Sequence, residues 1–421
     1  MPRTRNDSLR SWCAMVLQAS AAAIVPLLST AACGRESPSE DEGPVYVSEA
    51  DVRVLGTSDQ LSQVLDLEVL PSGAVWVLNS VEPFFVGFDA QGRALPTHGA
   101  EGGGPEEFRM PAAFMTGGWE DEAWVLDFLR HDLVRVSRPD AWAEISIPQQ
   151  DIPAGSLRGG MSLMSATVRT ARIDHEVIVA RADVSLEGGL TAFRLGILGA
   201  DLVALDLETG SVRTIVSLAE VLANPAEGFV ATEGGFPLWY RLWAVCGDDQ
   251  IRVYDRVRNE LRGFSSDGTE LASVQLPAPQ WTEVTPREFA GVIFPLREAE
   301  ITGGVGSRLS SQDSLRIVNE IVQGVQGQPS ELASYLPRYV DFRCSDDGVM
   351  WMQPLDLEVG GLSGGALWLR ITPDGVIQEV HFPVRFDAMR FSPRRVWGVQ
   401  RDELDLASVA WIELPNALTR Q

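Results

Sequence analysis

The chain of 421 residues contains no lysine, and all 34 of its strong bases are arginines. A phosphate-binding loop of the G-x-x-x-x-G-K-[ST] type needs a lysine to reach the phosphates, so this kind of nucleotide site is excluded. The 58 acidic residues give the chain a net charge of -24. Because a strongly negative protein repels nucleic acid and anionic lipid, we expect no nucleic-acid partner.

Histidine is also scarce, with four in the whole chain. No two of them have the spacing of a ligand pair on a helix or a hairpin. His98 and His131, together with Asp127, form the one combination that could share a metal ion, and ordinary loop roles are the favoured interpretation for all three. We therefore predict no metal ion and no cofactor.

Long apolar runs are missing outside the N-terminus. Residues 14–28 form such a run after three arginines, which is typical of an export signal, and no other segment approaches the ~20 apolar residues of a spanning helix. The small residues that follow end at Cys33 and resemble a bacterial lipobox, although Thr30 stands where leucine is usual. We predict a signal peptide at 1–32, a lipidated Cys33 and an acidic tether at 33–44. Cleavage without lipidation is the alternative.

The folded part of the chain has only two cysteines, Cys246 and Cys344, in the similar stretches "VCGDDQIRVYD" and "RCSDDGVMWMQ". Equivalent positions in neighbouring repeats are expected to lie farther apart than the Cβ spacing of a disulfide permits. We therefore expect two free thiols, with a disulfide as the alternative that an exported protein would allow.

Those two stretches belong to a repeat that extends along the chain. A turn signal leads into a half-buried strand six times, at "PSGAVWVLN", "EDEAWVLD", "IDHEVIVA", "GDDQIRVYD", "SDDGVMWMQ" and "SPRRVWGVQ". Each is followed by a second strand, and five also have a third. With an inner strand such as "VLDLEVL" or "YVDFR" before each, the pattern predicts an all-β, six-bladed β-propeller of four-stranded antiparallel blades over 45–421.

The sixth repeat lacks its last strand, whereas "VYVSEADVRVLG" stands unassigned before the first repeat. We predict that this N-terminal strand pairs beside "SVAWIELP" and closes the ring. Closure would remove the exposed sheet edges that invite aggregation.

The stretch "GGGPEEFRMP" connects the first repeat with the second. It matches a "G-x-GPGEF-x-x-P" strap at Gly102, Gly104, Pro105, Glu107, Phe108 and Pro111. In this strap and in its repeats, the chain resembles the NHL-like six-bladed β-propeller bacterial lipoprotein family. Glu106 stands at the position where the family usually has glycine, so the backbone there either needs no positive φ or tolerates some strain. We expect Phe108 to insert between blades; a featureless loop is the alternative.

Short turns are predicted on one face of the ring and nearly all long connections on the other. The longest connection, 282–337, is predicted to be helical. Its first helix begins at Thr285, with Pro286 and Glu288 completing a capping box, and its second begins at Ser310. The predicted apolar face of the second helix comprises Leu315, Val318, Ile321, Val322 and Val325. This insertion is expected either to cover the loop-rich face as a lid or to pack on the rim.

Candidate ligand-binding residues are arginines and aromatics in or beside the long connections: Arg130, Arg181, Trp239, Tyr240, Arg241 and Arg256. Such side chains suit a carboxylate-bearing or planar ligand, whereas surface ion pairs are the alternative for each arginine. Ser363 has the spacing of a nucleophile elbow, but a strand follows where an elbow needs a helix. We predict no catalytic residue.

These features favour an exported β-propeller of the bacterial cell envelope that binds a small molecule or another protein. Its N-terminal lipid alone would hold it to the periplasmic or outer face of a membrane. The alternative is an enzyme, a hydrolase or a lyase as some NHL-like propellers are, with its site on the loop-rich face. A structural subunit of a surface complex is a third possibility, which would show an exposed apolar patch.

Overall fold

A computed structural model describes residues 43–147, 170–181, 201–217, 242–278, 281–302, 309–325, 329–358, 366–415 and 418, apart from 105, 120, 128, 129, 131, 139, 248, 256, 257 and 337. Two short strands come first, β1 (Val45–Tyr46) and β2 (Val52–Thr57). The strands that follow pair antiparallel within successive units, which we call strand groups.

Strand group one contains β3 (Val64–Val69), β4 (Val75–Asn79) and β5 (Phe85–Phe88). The strap follows with β6 (Ala100–Glu101) and β7 (Glu107–Phe108). Group two contains β8 (Pro111–Thr116), β9 (Trp124–Asp127), β10 (Asp132–Arg135) and β11 (Glu144–Ser146). Group three contains β12 (Thr170–Ile173), β13 (Glu176–Arg181), β14 (Asp201–Asp206) and β15 (Val212–Ser217).

Group four contains β16 (Trp243–Cys246), β17 (Gln250–Asp255), β18 (Glu260–Ser265) and β19 (Glu270–Gln275). Group five contains β20 (Tyr339–Cys344), β21 (Met350–Pro354), β22 (Leu367–Ile371) and β23 (Ile377–His381). Group six contains β24 (Phe386–Phe391), β25 (Arg395–Arg401), β26 (Ala407–Glu413) and the N-terminal β2.

Hydrophobic clusters lie between successive groups, because each strand alternates its side chains between the two faces of its sheet. Groups one and two share a cluster, and the same holds for each following pair and for groups six and one. Representative members, from the first interface to the last, are Phe114, Leu133, Trp243, Phe342, Phe391 and Val77. The core is therefore a series of sheet-to-sheet interfaces.

The hydrogen-bonded sheets differ from the six separate blades predicted, because the described residues form four sheets of at least four strands. Groups two and three merge, since β8 pairs in parallel with β12. In group one, the predicted strand "ALPTHG" is reduced to two isolated bridges, Phe85 with His98 and Phe88 with Ala94. The fold is all-β and propeller-like with few helices.

The N-terminal segment pairs where the sequence predicts, with one difference. β2 lies antiparallel to β26, from Val52 opposite Ile412 to Thr57 opposite Ser408. The segment is not one strand, however: β1 pairs in parallel with β23 of group five, and a 3-10 turn at Glu49–Asp51 separates the two strands. The segment from β1 to β2 therefore contacts both group five and group six.

Three helices lie between groups four and five: α1 (Pro286–Thr302), α2 (Ser311–Gly324) and α3 (Pro329–Tyr335). The predicted capping box is confirmed, since the Thr285 amide donates to Glu288 and the Glu288 amide donates to the Thr285 hydroxyl. Ser310 caps α2 by accepting from the Asp313 amide. The third helix has no counterpart in the prediction.

The predicted apolar face of α2 is partly wrong. Leu315 is 66% exposed, and the buried residue of this helix is Ile317. The insertion has its own hydrophobic cluster, which joins Phe289 of α1 and Leu332 of α3 to Leu355, just after β21 of group five. The Trp281 indole also donates to the Leu355 carbonyl at 3.4 Å. These contacts attach the insertion to group five.

Among the described helices, none has the length and apolar character needed to cross a bilayer.

Candidate functional site

A pocket of about 650 Å³, including its opening to solvent, lies where the first strands of the six groups meet. Each of these inner strands contributes to the lining, with Asp66 of β3, Ala113 of β8, Thr170 of β12, Trp243 of β16, Arg343 of β20 and Arg390 of β24. We call this space the axial pocket. Its position brings together side chains that are far apart in the sequence.

Asp66, Arg343 and Arg390 line one side of the axial pocket. Together with Glu68 and Asp341, which contact the two arginines, they form what we call the charged wall. Asp66 is buried and accepts a hydrogen bond from the Phe114 amide at 3.0 Å. Its carboxylate oxygens also lie 3.6 Å from Arg343 Nη1 and 3.9 Å from Arg390 Nη2. Arg343 Nε donates to Asp341 at 3.0 Å. Asp66 is therefore the centre of an ion-pair network.

Arg390 extends this network to neighbouring strands. Its Nε donates to the Leu67 carbonyl at 2.8 Å, and its Nη1 donates to the Thr116 hydroxyl at 3.1 Å. Its Nη2 contacts the Glu68 carboxylate. Since these partners belong to groups one and two, a single guanidinium holds three inner strands in place at the axis.

Three carboxyl groups near the charged wall have raised pKa values. Burial raises the pKa of Glu68 to about 7, against the opposing effect of Arg390, although 18% of the side chain remains exposed. Partial desolvation, with the nearby Asp341 carboxylate, raises the pKa of Asp387 of β24 to about 6, although this residue is exposed. Partial desolvation also raises the pKa of Asp346, against the effect of Arg390. Glu68 therefore exchanges its proton near neutral pH.

The opposite side, which we call the neutral wall, comprises Ala112, Ala113, Thr170, Ala171, Trp243 and Ala244. Thr170 and Trp243 are each about 1% exposed. Their hydroxyl and indole nitrogen have no hydrogen-bond partner in the described part of the chain. The neutral wall therefore combines small side chains with two unpaired polar atoms.

The structure describes one predicted binding side chain, Arg130. Its Nη1 donates to the Glu107 carbonyl at 2.9 Å, while Nη2 and Nε lie 2.8 Å and 3.3 Å from Glu144 and Asp132. These contacts attach the strap to group two. Arg181 ends β13, where its backbone pairs with Asp201. The other candidates, Cys33, Trp239, Tyr240, Arg241 and Arg256, lie outside the described residues.

The possible metal ligands have structural roles. His98 packs against Trp76 and Phe85 and its Nε2 lies 2.8 Å from the Val136 carbonyl, while burial lowers its pKa. Asp127 accepts from two strap amides, those of Arg109 and Met110. His131 and Ser363 lie outside the described residues. Within the described residues, no group of three or more His, Cys, Asp or Glu is arranged to hold a metal ion.

The strap follows the structural prediction, and the featureless-loop alternative is wrong. Phe108 is fully buried in the cluster between groups one and two, with its ring 4.8 Å from that of Phe85. A Cβ on Gly102 would lie 2.0 Å from the Glu107 carboxylate, so a larger residue there would displace the side chain that accepts from the Gly104 amide. Glu106 has φ 62°, a left-handed conformation that favours glycine. Of the two alternatives for Glu106, tolerated strain is therefore the correct one.

Cys246 and Cys344 form a disulfide, so the expectation of two free thiols is wrong. Their Cα atoms are 5.1 Å apart although 98 positions separate them in sequence. They end the inner strands β16 and β20, and inner strands converge on the axis. Equivalent positions of neighbouring repeats therefore come within bonding distance there, which the repeat spacing alone did not indicate.

The charged wall was missed by the sequence analysis, although the repeats contain a signal for it. The inner strands "VLDLEVL" and "YVDFR" carry Asp66 and Asp341 at equivalent positions inside apolar runs. Each aspartate accepts from the amide of the next residue, at 3.0 Å and 2.6 Å. In both strands the pairing register shifts just before the aspartate. A repeated carboxylate inside a buried strand thus marks the axis.

Neither a protein-family model nor a curated protein matches this chain. Similar solved structures include a putative exported protein from Bacteroides fragilis, at 9% identity and a TM-score of 0.47, covering 88% of this chain and 97% of that one. A gluconolactonase from Xanthomonas campestris has 10% identity and a TM-score of 0.44, with 90% and 97% covered. A virginiamycin B lyase from Staphylococcus aureus has 10% identity and a TM-score of 0.44, with 86% and 99% covered. Likenesses this distant assign neither a family nor an activity.

Proposed function

We propose that the chain is an exported, membrane-anchored β-propeller of six blades that binds a ligand in its axial pocket. Six hydrophobic interfaces, the last between groups six and one, support a closed ring of six blades. The pairing of β2 with β26 supports closure by the N-terminal strand. Membership of an NHL-like lipoprotein family remains part of this proposal.

The disulfide supports export, because disulfides persist in oxidising compartments and are rare in the cytosol. Anchoring rests on the proposed signal at 1–32 and on lipidation of Cys33. The test is phase partitioning of the wild-type protein and of Cys33→Ser. We expect the wild type in the detergent phase and the variant in the aqueous phase. A wild type that is soluble without detergent would remove the anchor from the proposal.

The observation that carries the binding function is the axial pocket, to which all six inner strands contribute. Apolar side chains combined with a few fixed polar groups are typical of the lining of small-molecule sites. The lining includes Phe114, Met389 and Phe391 as well as Asp66, Arg343 and Arg390.

Small molecules that copurify with the protein from native membranes test this proposal. Ala244→Phe should fill the pocket, and a compound identified by mass spectrometry with the wild type should be absent from this variant. Val384→Phe is the matched control, since Val384 is 91% exposed and is not among the pocket residues. A wild type that carries no compound, or an Ala244→Phe variant that retains it, would contradict binding in the pocket.

Catalysis is the second candidate, and the pKa of Glu68 favours it. A carboxyl group with a pKa of about 7 can accept and return a proton near neutral pH. If the protein is a hydrolase or a lyase, Glu68→Gln should retain the copurified compound and lose its turnover. A wild type that binds the compound and leaves it unchanged would favour the binding function.

A further inference from the structure

The two walls of the axial pocket differ in how their polar atoms are satisfied. In the charged wall, Asp66 lies close to both arginines, Glu68 contacts Arg390, and Asp341 accepts from Arg343. Three carboxylates and two guanidinium groups therefore neutralise most of one another. Asp66, Arg343 and Arg390 line the pocket, and their charges are already paired within this network, so an anionic or a cationic ligand would lose much of its attraction.

The neutral wall presents the opposite situation. Trp243 Nε1 is a hydrogen-bond donor, and the Thr170 hydroxyl can donate as well as accept. Both atoms are buried and neither has a partner in the described residues. A buried polar atom without a partner is costly, and a ligand that supplies one recovers that cost on binding. The neutral wall also contains four alanines, whose side chains take up little of the pocket.

We infer that the axial pocket takes a small uncharged molecule with an apolar body, whose carbonyl or amide oxygen accepts hydrogen bonds at Thr170 and Trp243. This inference rests on the proposed binding function and specifies its ligand class. The charged wall then holds the inner strands in place, and the neutral wall recognises the ligand. Phe114 and Phe391 supply apolar surface for the rest of the molecule.

Three probes with the same branched apolar body separate the ligand classes: isovaleramide, isovalerate and isoamylamine. Ligand-observed NMR on the full protein should detect binding of the amide, and the acid and the amine should bind about tenfold more weakly. Thr170→Val and Trp243→Phe should each weaken amide binding by about three- to tenfold, the effect of one neutral hydrogen bond.

Thermal unfolding adds a measurement that separates a binding role from a structural one. Thr170→Val is nearly isosteric and removes a hydroxyl that has no partner among the described residues, so the melting temperature should stay unchanged or rise. Thr372→Val is the matched control. Its hydroxyl accepts from the Val376 amide at 3.0 Å, so this variant should melt at a lower temperature.

Three results would overturn the inference: equal or tighter binding of the acid or the amine, amide binding that is unaffected by both substitutions, or a lower melting temperature for Thr170→Val. A further outcome is that a compound copurifies with the wild type and not with Ala244→Phe although none of the three probes binds. In that case the inferred ligand class is wrong and the proposed function stands. If both experiments fail, the proposed function fails as well.

Discussion

The charged and neutral walls of the axial pocket are built from equivalent inner strands, yet they use polar side chains in opposite ways. Arg390 donates hydrogen bonds to the Leu67 carbonyl and the Thr116 hydroxyl, so its guanidinium group already has partners within the protein. The Thr170 hydroxyl and the Trp243 indole nitrogen have no hydrogen-bond partner among the described residues. The charged groups at the axis therefore connect neighbouring inner strands, whereas the polar atoms of the neutral wall make no such connection in the described part of the chain.

Removing Arg390 should have the largest effect, because it would leave Asp66 and Glu68 without their shared partner. Arg390→Met should lower the free energy of unfolding by about 3 to 5 kcal/mol, as expected when one partner of a buried ion pair is lost. Urea denaturation measures this change in the free energy of unfolding. Arg93→Met, which breaks an exposed pair with Asp89, should cost less than about 1 kcal/mol. Similar losses in the two variants would show that the charged wall does not stabilise the ring.

The disulfide joins the two walls, since Cys246 ends β16 on the neutral side and Cys344 ends β20 on the charged side. Replacing both cysteines with alanine should lower the free energy of unfolding by about 2 to 4 kcal/mol, because the unfolded chain loses a long-loop constraint. Reducing agent should destabilise the wild type and leave the double variant unchanged. Two titratable thiols in the untreated wild type would contradict the bond.

Stability should depend on pH through Glu68. Its pKa is about 7 in the folded protein, compared with an ordinary value of 4.5, so the folded state binds this proton more tightly than the unfolded state does. The free energy of unfolding should therefore fall by about 2 to 3 kcal/mol as the pH rises through the interval between these values. Asp387, with its pKa raised from 3.8 to about 6, should contribute a decrease of the same sign at lower pH.

Glu68→Gln should remove the part of this decrease that comes from Glu68 in denaturation measurements made from pH 4 to pH 8, because glutamine does not titrate, and should leave the part that comes from Asp387. Glu320→Gln, at an exposed position of α2, is the matched control and should keep the wild-type profile. The lowered pKa of Asp267, about 2, acts below this range and does not interfere. A Glu68→Gln profile as steep as that of the wild type would contradict the assignment.

The smallest expected effect concerns the strap, which lies outside both walls. Glu106→Gly should raise the free energy of unfolding by about 0.5 to 1 kcal/mol, since glycine adopts a positive φ without strain but loses more backbone entropy on folding. Glu101→Gly, in the extended β6, should instead be destabilising. Binding of the amide probe should be the same in both variants. A change in binding would mean that the strap shapes the axial pocket.

Much of the fold could be predicted from local patterns. The turn-and-strand repeat, the caps at Thr285 and Ser310 and the buried Phe108 all depend on residues close in sequence. The site could be predicted less well, because binding residues are usually expected in long connections, whereas Asp66 and Arg343 lie inside apolar strands. The exposed Leu315 shows that local patterns also fail for packing. Helical periodicity identifies the apolar face of α2 but does not indicate which part of that face packs against the rest of the protein.

The sequence by itself determined the strand repeats, their turns and the pairing position of β2, because alternation, glycine turns and capping act over a few residues. Only the tertiary structure decided which side chains meet at the axis. Arg390 bonds to Leu67 across 323 positions, and Cys246 bonds to Cys344 across 98. Such contacts arise because the inner strands converge at one place, and no spacing along the chain encodes that convergence. The same convergence buries Thr170 and Trp243 beside the pocket, where their side-chain polar atoms have no partner among the described residues.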